Sequence, residues 1–350
     1  MRWAAAQRLP PLKNECYYTR AGEVPPQLWH KKEGQFVSTR VVFLGTPDFA
    51  VPSLKALAAS DAFEVVGVVT QPDRPAGRGQ SMRPPAVKEA ALALDIPITQ
   101  PSTLRDEEAV AQLRAWGPDV LVVAAFGQIL RRPVLELAPY GCVNVHASLL
   151  PRWRGAAPIH YAIRAGDKET GVTIMKMDDG LDTGPILARR AIPIFPRDTA
   201  ATLHDRLAEL GAQLLPGVLE QYVDGDITPQ PQPEEGVTHA PTLDKDEGRI
   251  DWAASAAAVD RHVRAFDPWP GTFTFLDGKR IKIVGGTPLP DEDADEAPGT
   301  LVAHDDGLAV QTGEGLYALD VIQPAGKGRM TGEAYLAGHR DVIGRQFAAG

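Results

Sequence analysis

Cysteine is nearly absent: the 350 residues include two, Cys16 and Cys142. Two thiols build neither a disulfide framework nor a cysteine-ligated zinc site, and they fit a reducing compartment. Long apolar runs are missing as well. The longest, Val120–Phe126, is far short of the roughly 20 residues a bilayer span needs, so no membrane association is expected. Residues 1–20 lack the unbroken apolar core of a secretory signal. Nor is there surplus positive charge. Against 36 Lys and Arg stand 45 Asp and Glu, a net charge of −9. A general nucleic-acid binder would carry a basic domain or stripe, so any polyanion partner must be held by a local basic feature.

What is present is an ordinary globular composition, 44% apolar and 23% charged, in a chain long enough for two domains at roughly 100–200 residues each. The basic residues are 25 Arg and 11 Lys, which with abundant Ala, Gly and Pro points to GC-rich coding. Residues 1–36 carry Pro10-Pro11 and Pro25-Pro26, scattered charge and no sustained period. They read as a disordered extension, either a dispensable tail or upstream sequence translated from a misplaced start, with Val37 as the expected start.

From Thr39 onward the pattern changes. Short apolar strands at 40–45, 63–70, 96–98, 119–125 and 142–146 alternate with helical stretches at 49–59, 87–94 and 107–116. Strands at 173–177 and 185–194 and a long amphipathic helix at 202–223 follow. Strands that are apolar throughout and alternate with helices predict an α/β fold, a doubly wound and mostly parallel sheet covered on both faces, over residues 37–223. Residues 224–248 turn rich in Pro, Gln, Glu and Asp and read as a linker. Residues 249–350 open with a helix at 255–265 and continue in short strands separated by Gly turns, which predicts a small OB-like β-barrel. Doubly wound sheets often hold a dinucleotide on a G-x-G-x-x-G turn after the first strand. Here that turn is Gly45-Thr-Pro-Asp, with one glycine, and Pro47 has no N–H to offer a phosphate.

Ligands of open α/β sheets lie beyond the carboxyl ends of the strands. There the chain places Asn144-Val-His146-Ala-Ser-Leu-Leu-Pro151. Strand alternation puts Asn144 and His146 on one face, and downstream Asp178-Asp-Gly-Leu-Asp182 supplies carboxylates in a Gly-rich loop. An amide that donates to a developing oxyanion, an imidazole that moves a proton and a carboxylate that orients it suit acyl transfer. None of the three is a nucleophile, which favours direct transfer to an external amine. On residue types alone His146 is equally a satisfied core histidine, and Asp178 and Asp179 read as turn residues. None of the eight histidines belongs to a metal-ligand set, and no metal is expected.

These residues resemble the folate-dependent formyltransferases. Four further segments carry the resemblance across residues 39–350: Phe43-Leu-Gly-Thr-Pro-Asp-Phe-Ala50, Thr70-Gln-Pro-Asp-Arg-Pro-Ala-Gly-Arg-Gly79, Arg152-Trp-Arg-Gly-Ala-Ala-Pro158 and Phe266-Asp-Pro-Trp-Pro-Gly271. The resemblance implies transfer of formyl from 10-formyltetrahydrofolate to the α-amine of initiator methionyl-tRNA, by a cytoplasmic monomer. It makes Asn144, His146 and Asp182 catalytic and sets the folate against Ser148, Leu149, Leu150 and Pro151. It also implies that the Arg-bearing loop meets the tRNA acceptor end, with Arg78 its key residue. That loop, 73–85, carries Arg74, Arg78 and Arg83 against Asp73, a local surplus in an acidic chain. Residues 249–350 hold 10 basic and 15 acidic residues, so tRNA contacts there must come from a minority cluster: Lys279, Arg280 and Lys282 with Lys327 and Arg329. Lys245 in the linker is a further candidate. Glycinamide ribonucleotide and sugar-nucleotide formyltransferases share the catalytic set, but the former would lack the second domain and the latter the Arg-bearing loop. A catalytically silent tRNA-binding or folate-sensing module would have no need of the intact set.

Overall fold

The computed structural model describes residues 38–76 and 81–348. The expected extension at 1–36, Val37 and Arg78 lie outside the described residues. The first part of the chain runs β1 (Thr39–Gly45), α1 (Val51–Ala58), β2 (Phe63–Val69), β3 (Arg74–Ala76), β4 (Ser81–Arg83), α2 (Ala86–Ala93), β5 (Ile98–Thr99), α3 (Glu107–Ala115), β6 (Val120–Ala124), α4 (Arg132–Leu135), β7 (Cys142–His146), α5 (Pro158–Ala165), β8 (Glu169–Lys176), β9 (Ile186–Pro193) and α6 (Ala200–Val223). A seven-stranded sheet has the order β5-β2-β1-β6-β7-β8-β9. The strands from β5 to β7 run parallel, and β8 and β9 add antiparallel.

Side-chain alternation divides the core into two. Val41 and Phe43 of β1, Val120 and Val122 of β6, and Val143 and Val145 of β7 face α1, α5 and α6. Val42, Leu44, Leu121, Val123 and Cys142 face α3 and α4. Asn144 and His146 continue the second face to its end, because they follow Cys142 at intervals of two. Helix α6 lies close against β7 on the other face: a Cβ at Gly211 would stand 2.8 Å from Val145 Cγ1. Its first turn is closed by a reciprocal cap, Thr199 Oγ1 accepting from the Thr202 N–H and Thr202 Oγ1 from the Thr199 N–H. Thr199→Ala removes that cap and is expected to cost about 1 kcal/mol, read as a lower midpoint in urea unfolding.

Residues after the linker form α7 (Ala256–Ala265), β10 (Thr272–Leu276), β11 (Lys279–Leu289), β12 (Leu301–His304), β13 (Gly307–Gln311), β14 (Leu316–Pro324), β15 (Met330–Thr331) and α8 (Gly332–Gly338). These strands are antiparallel in the order β10-β11-β14-β13-β12, with β15 on β14. The open edges are joined by the segment 345–348. Arg345 O accepts from the Leu301 N–H at 2.8 Å, the Phe347 N–H donates to Gly299 O at 2.9 Å, and the Ala348 N–H donates to Phe275 O at 2.8 Å. Phe347 seals this seam by stacking on Trp252 inside the barrel, ring centroids 5.4 Å apart.

Several elements escaped the sequence reading. The stretch 73–85, read as a loop, contains the β3–β4 hairpin. Helices α4 and α5 are short, and each opens on a proline in its first turn, where the missing N–H costs nothing. Segment 224–248, read as a linker, lies between the strands of the two sheets and is fastened down. Gln230 exchanges backbone hydrogen bonds with Ile186 at 2.7 and 2.8 Å, and Ala240 exchanges them with Arg154 and Ala157 at 2.8 and 3.1 Å. Among the described residues no helix is long and apolar enough to cross a membrane.

Candidate active site

Strand β7 delivers Asn144 and His146 to the carboxyl edge of the sheet, both nearly enclosed at 9% and 5% exposure. Asp182 reaches them from the β8–β9 turn, on a backbone at φ +53°, the left-handed region that aspartate tolerates better than most residues. Its carboxylate is shared. Oδ1 accepts from Asn144 Nδ2 at 3.5 Å, and Oδ2 accepts the Gly155 backbone N–H at 2.8 Å. His146 Nδ1 stands 3.6 Å from Asp182 Oδ2, an ion-pair distance beyond hydrogen-bond reach.

The imidazole is oriented from its other side. His146 Nε2 lies 3.0 Å from the Trp153 carbonyl oxygen. A carbonyl only accepts, so Nε2 carries the hydrogen and the Nδ1 of the neutral ring presents a lone pair toward Asp182. The sequence reading gave the task of orienting the imidazole to Asp182; the closer contact is the one to the Trp153 carbonyl. Trp153 has φ +65° and is anchored by its own side chain. Its Nε1 donates to Asp167 Oδ2 at 2.8 Å, Arg152 binds the same carboxylate at 2.8 and 2.6 Å, and the Arg152 guanidinium stacks 4.2 Å from the centre of the indole. Cys142, on the same face of β7, is no rival nucleophile: burial pushes its thiol pKa up to about 12, which keeps it protonated.

The four residues expected against the folate divide. Ser148, Leu150 and Pro151 are buried, and Leu149 alone is half exposed. The Ser148 hydroxyl donates to the Arg152 carbonyl at 2.6 Å, so it shapes the turn toward Trp153. Two large apolar side chains that the sequence reading did not single out are offered to solvent nearby: Ile129, 79% exposed on the loop after β6, and Leu181, 63% exposed beside Asp182. An ion pair 2.8 Å long joins Arg132, at the start of α4 where the first of these loops ends, to Asp179 in the second.

Of the expected tRNA contacts, Arg74 and Arg83 sit directly opposite each other in the β3–β4 hairpin, an arrangement of like charges that costs stability without an anion between them. Arg74 donates to Gln71 at 2.6 Å. The nearby acid is engaged elsewhere: Lys88 Nζ pairs with Asp73 at 2.8 Å and Gln100 Nε2 donates to it at 2.7 Å, contacts that hold the carboxyl below its usual pKa. Lys245, Lys279, Arg280, Lys282, Lys327 and Arg329 are all exposed, and no carboxylate among the described residues pairs with any of them. Arg280 stacks 3.7 Å from the centre of the Phe273 ring.

Sequence reasoning missed Trp153 and Gly155: both fall in the Arg152–Pro158 motif, which carried the resemblance without giving any of its residues a role.

Comparison with known proteins follows the same outline. The formyl transferase family model matches residues 39–219, and the formyl transferase C-terminal domain model matches residues 242–340. A methionyl-tRNA formyltransferase of Stenotrophomonas maltophilia is 52% identical over 306 residues, 87% of this chain and 98% of that protein. One from Aromatoleum aromaticum is 50% identical over 311 residues, 89% and 97% of the two chains. Among solved structures, the sugar 3N-formyl transferase WlaRD superposes with a TM-score of 0.60 at 18% identity, covering 83% of this chain and all of the other. HypX of Aquifex aeolicus in complex with tetrahydrofolic acid gives 0.57 at 18%, covering 88% of this chain and 48% of the other. Similarity at that level speaks for the fold. With both halves matched in order, and relatives half identical along nearly their full length, the chain belongs to the methionyl-tRNA formyltransferase family.

Proposed function

We propose that this chain transfers the formyl group of 10-formyltetrahydrofolate to the α-amine of initiator methionyl-tRNA, giving N-formylmethionyl-tRNA, and that it works in the cytoplasm as a monomer. The observation that carries the reading is the convergence of an amide, a tautomer-fixed imidazole and a carboxylate at one sheet edge, with no nucleophile among them. Exposed Ile129 and Leu181 on adjoining loops fit the flat faces of a pterin, and half-exposed Leu149 is the member of Ser148–Pro151 with side-chain surface to add.

The folate supplies a formyl group on nitrogen whose carbonyl carbon is open to attack by the neutral amine of the aminoacyl end. Asn144 turns one Nδ2–H toward Asp182 and keeps the other for the carbonyl oxygen as negative charge develops there. His146 accepts the proton of the attacking amine at Nδ1, the nitrogen left free by the Trp153 contact. The imidazolium then donates on both sides, to the Trp153 carbonyl and toward Asp182. His146 returns the proton to the departing nitrogen, so no charge is left behind. Gly155 and Asn144 hold Asp182 for this moment through their N–H groups.

Transfer of labelled formyl from 10-formyltetrahydrofolate to charged initiator tRNA tests the reading. Its absence under conditions where the protein is folded, or transfer to a sugar amine in its place, would refute it. The Arg-bearing stretch 73–85 supplies a second expected result. Arg78→Ala and Arg83→Ala should each lower kcat/KM for the tRNA while leaving folate binding unchanged, and should each reduce the salt dependence of tRNA binding by about one phosphate contact. Titrations at several salt concentrations read this directly; a loss confined to folate affinity would assign the stretch to the other substrate.

A further inference from the structure

Asp182 needs support, because it sits on a left-handed backbone in a turn and its carboxylate must face Asn144, Gly155 and His146 together. That support comes from a segment whose composition marks it as a linker. Gln232 Nε2 donates one hydrogen to the Asp182 carbonyl at 2.7 Å and the other to the Gly184 carbonyl at 2.8 Å. Its Oε1 accepts from Arg154 Nη2 at 2.7 Å and Nε at 3.1 Å. The partners fix which end of the amide is which, since a guanidinium only donates and a carbonyl only accepts. All three partner residues lie in the two loops that build the site: 182–184 bears the carboxylate, and 152–155 bears the Trp153 carbonyl and the Gly155 N–H.

The neighbouring chain reinforces the clamp. Gln230 pairs with Ile186 just beyond the first loop, and Thr238 Oγ1 accepts the Trp153 N–H at 2.9 Å on the second. We infer that Gln232 and Arg154 are positioning residues for the formyl transfer: the Arg154–Gln232 pair holds the Asp182 main chain so that its carboxylate, and through it His146 and Asn144, keep their alignment. The inference rests on the role given to Asp182 above.

Gln232→Glu separates positioning from bulk structure. It keeps size and shape and strengthens the pair with Arg154, but it turns an acceptor toward the two carbonyls where the amide donated. Gln232→Ala removes both sets of bonds. A misplacement of about 1 Å can cost about 10²-fold in rate, so each variant should lose about 10- to 100-fold in kcat with KM for both substrates within about 2-fold and unfolding midpoints close to the parent protein's. In an Asp182→Ala background, measured by single turnover, adding either change should cost no more than about 2-fold, because residues acting through one group are not additive. Full turnover in Gln232→Glu would overturn the inference. So would a loss carried by KM for the tRNA, or the same factor appearing in the Asp182→Ala background. If Asp182→Ala itself turned over like the parent protein, the role of Asp182 would fall and the clamp with it. An impaired Asp182→Ala beside a normal Gln232→Glu would leave that role standing and sink the clamp alone.

Discussion

Asn144→Ala is expected to lose about 10²–10³ in kcat, the usual consequence of removing one donor to a developing oxyanion. The fold should survive, because the side chain is lost at the end of the second core face, beyond Cys142, where no apolar packing depends on it. His146→Ala should fall by a similar factor for a different reason: the proposed mechanism gives the proton of the amine to Nδ1, the ring nitrogen that the Trp153 carbonyl does not occupy. The two losses should not multiply, since both side chains act on one transition state through one carboxylate. Single-turnover formyl transfer to charged initiator tRNA, with circular dichroism to check folding, separates chemistry from stability. Near-normal turnover in either variant would remove that residue from the mechanism.

Gly155→Ala should be damaging although it adds one methyl group. The residue has φ +120°, a conformation that costs about 1–3 kcal/mol for a residue with a Cβ. That Cβ would also meet the Ala240 carbonyl oxygen at 2.6 Å. That neighbour is backbone rather than a flexible side-chain end, so the loop 152–155 has to shift. The shift takes the Gly155 N–H from Asp182 and moves the Trp153 carbonyl away from His146. The expected outcome is a lower unfolding midpoint together with a fall of at least about 10-fold in kcat, given how steeply rate depends on alignment. A variant with parent-like turnover would show that the loop adapts without disturbing the carboxylate.

The elements that were legible in the sequence are those with strong local patterning. β7 reads from Cys-Val-Asn-Val-His alone: two valines on one face, and on the other an amide and an imidazole where an apolar pair would be expected. β10 lies where its alternation of Thr and Phe puts it, and α6 where its apolar stripe does. The Asn144, His146 and Asp182 grouping was visible as three residue types, but its tautomer was not. The nitrogen of His146 that is free depends on a main-chain carbonyl at Trp153, and a carbonyl looks the same at every position of a sequence. Gln232 was hidden for the same reason, since its amide binds main-chain oxygens and its context is Pro and Glu. The β3–β4 hairpin was obscured because the sequence of 73–85 is rich in arginine, glycine and proline, which suggest a loop until register sets Arg74 opposite Arg83.

The fastening of residues 230–240 onto the loops 152–155 and 182–184 bears on how such enzymes exchange parts. A chimaera joined at the end of α6, near Val223, would give a formyltransferase sheet whose site is completed by a foreign segment, with Gln232, Thr238 and Ala240 replaced by whatever the donor supplies. Joined beyond Ala240, the same sheet takes its own braces along and the barrel becomes the exchangeable piece. The boundary that matters for recombination therefore lies inside the stretch that looks most expendable, and insertions tolerated there should cluster at 233–237, between the braces rather than across them.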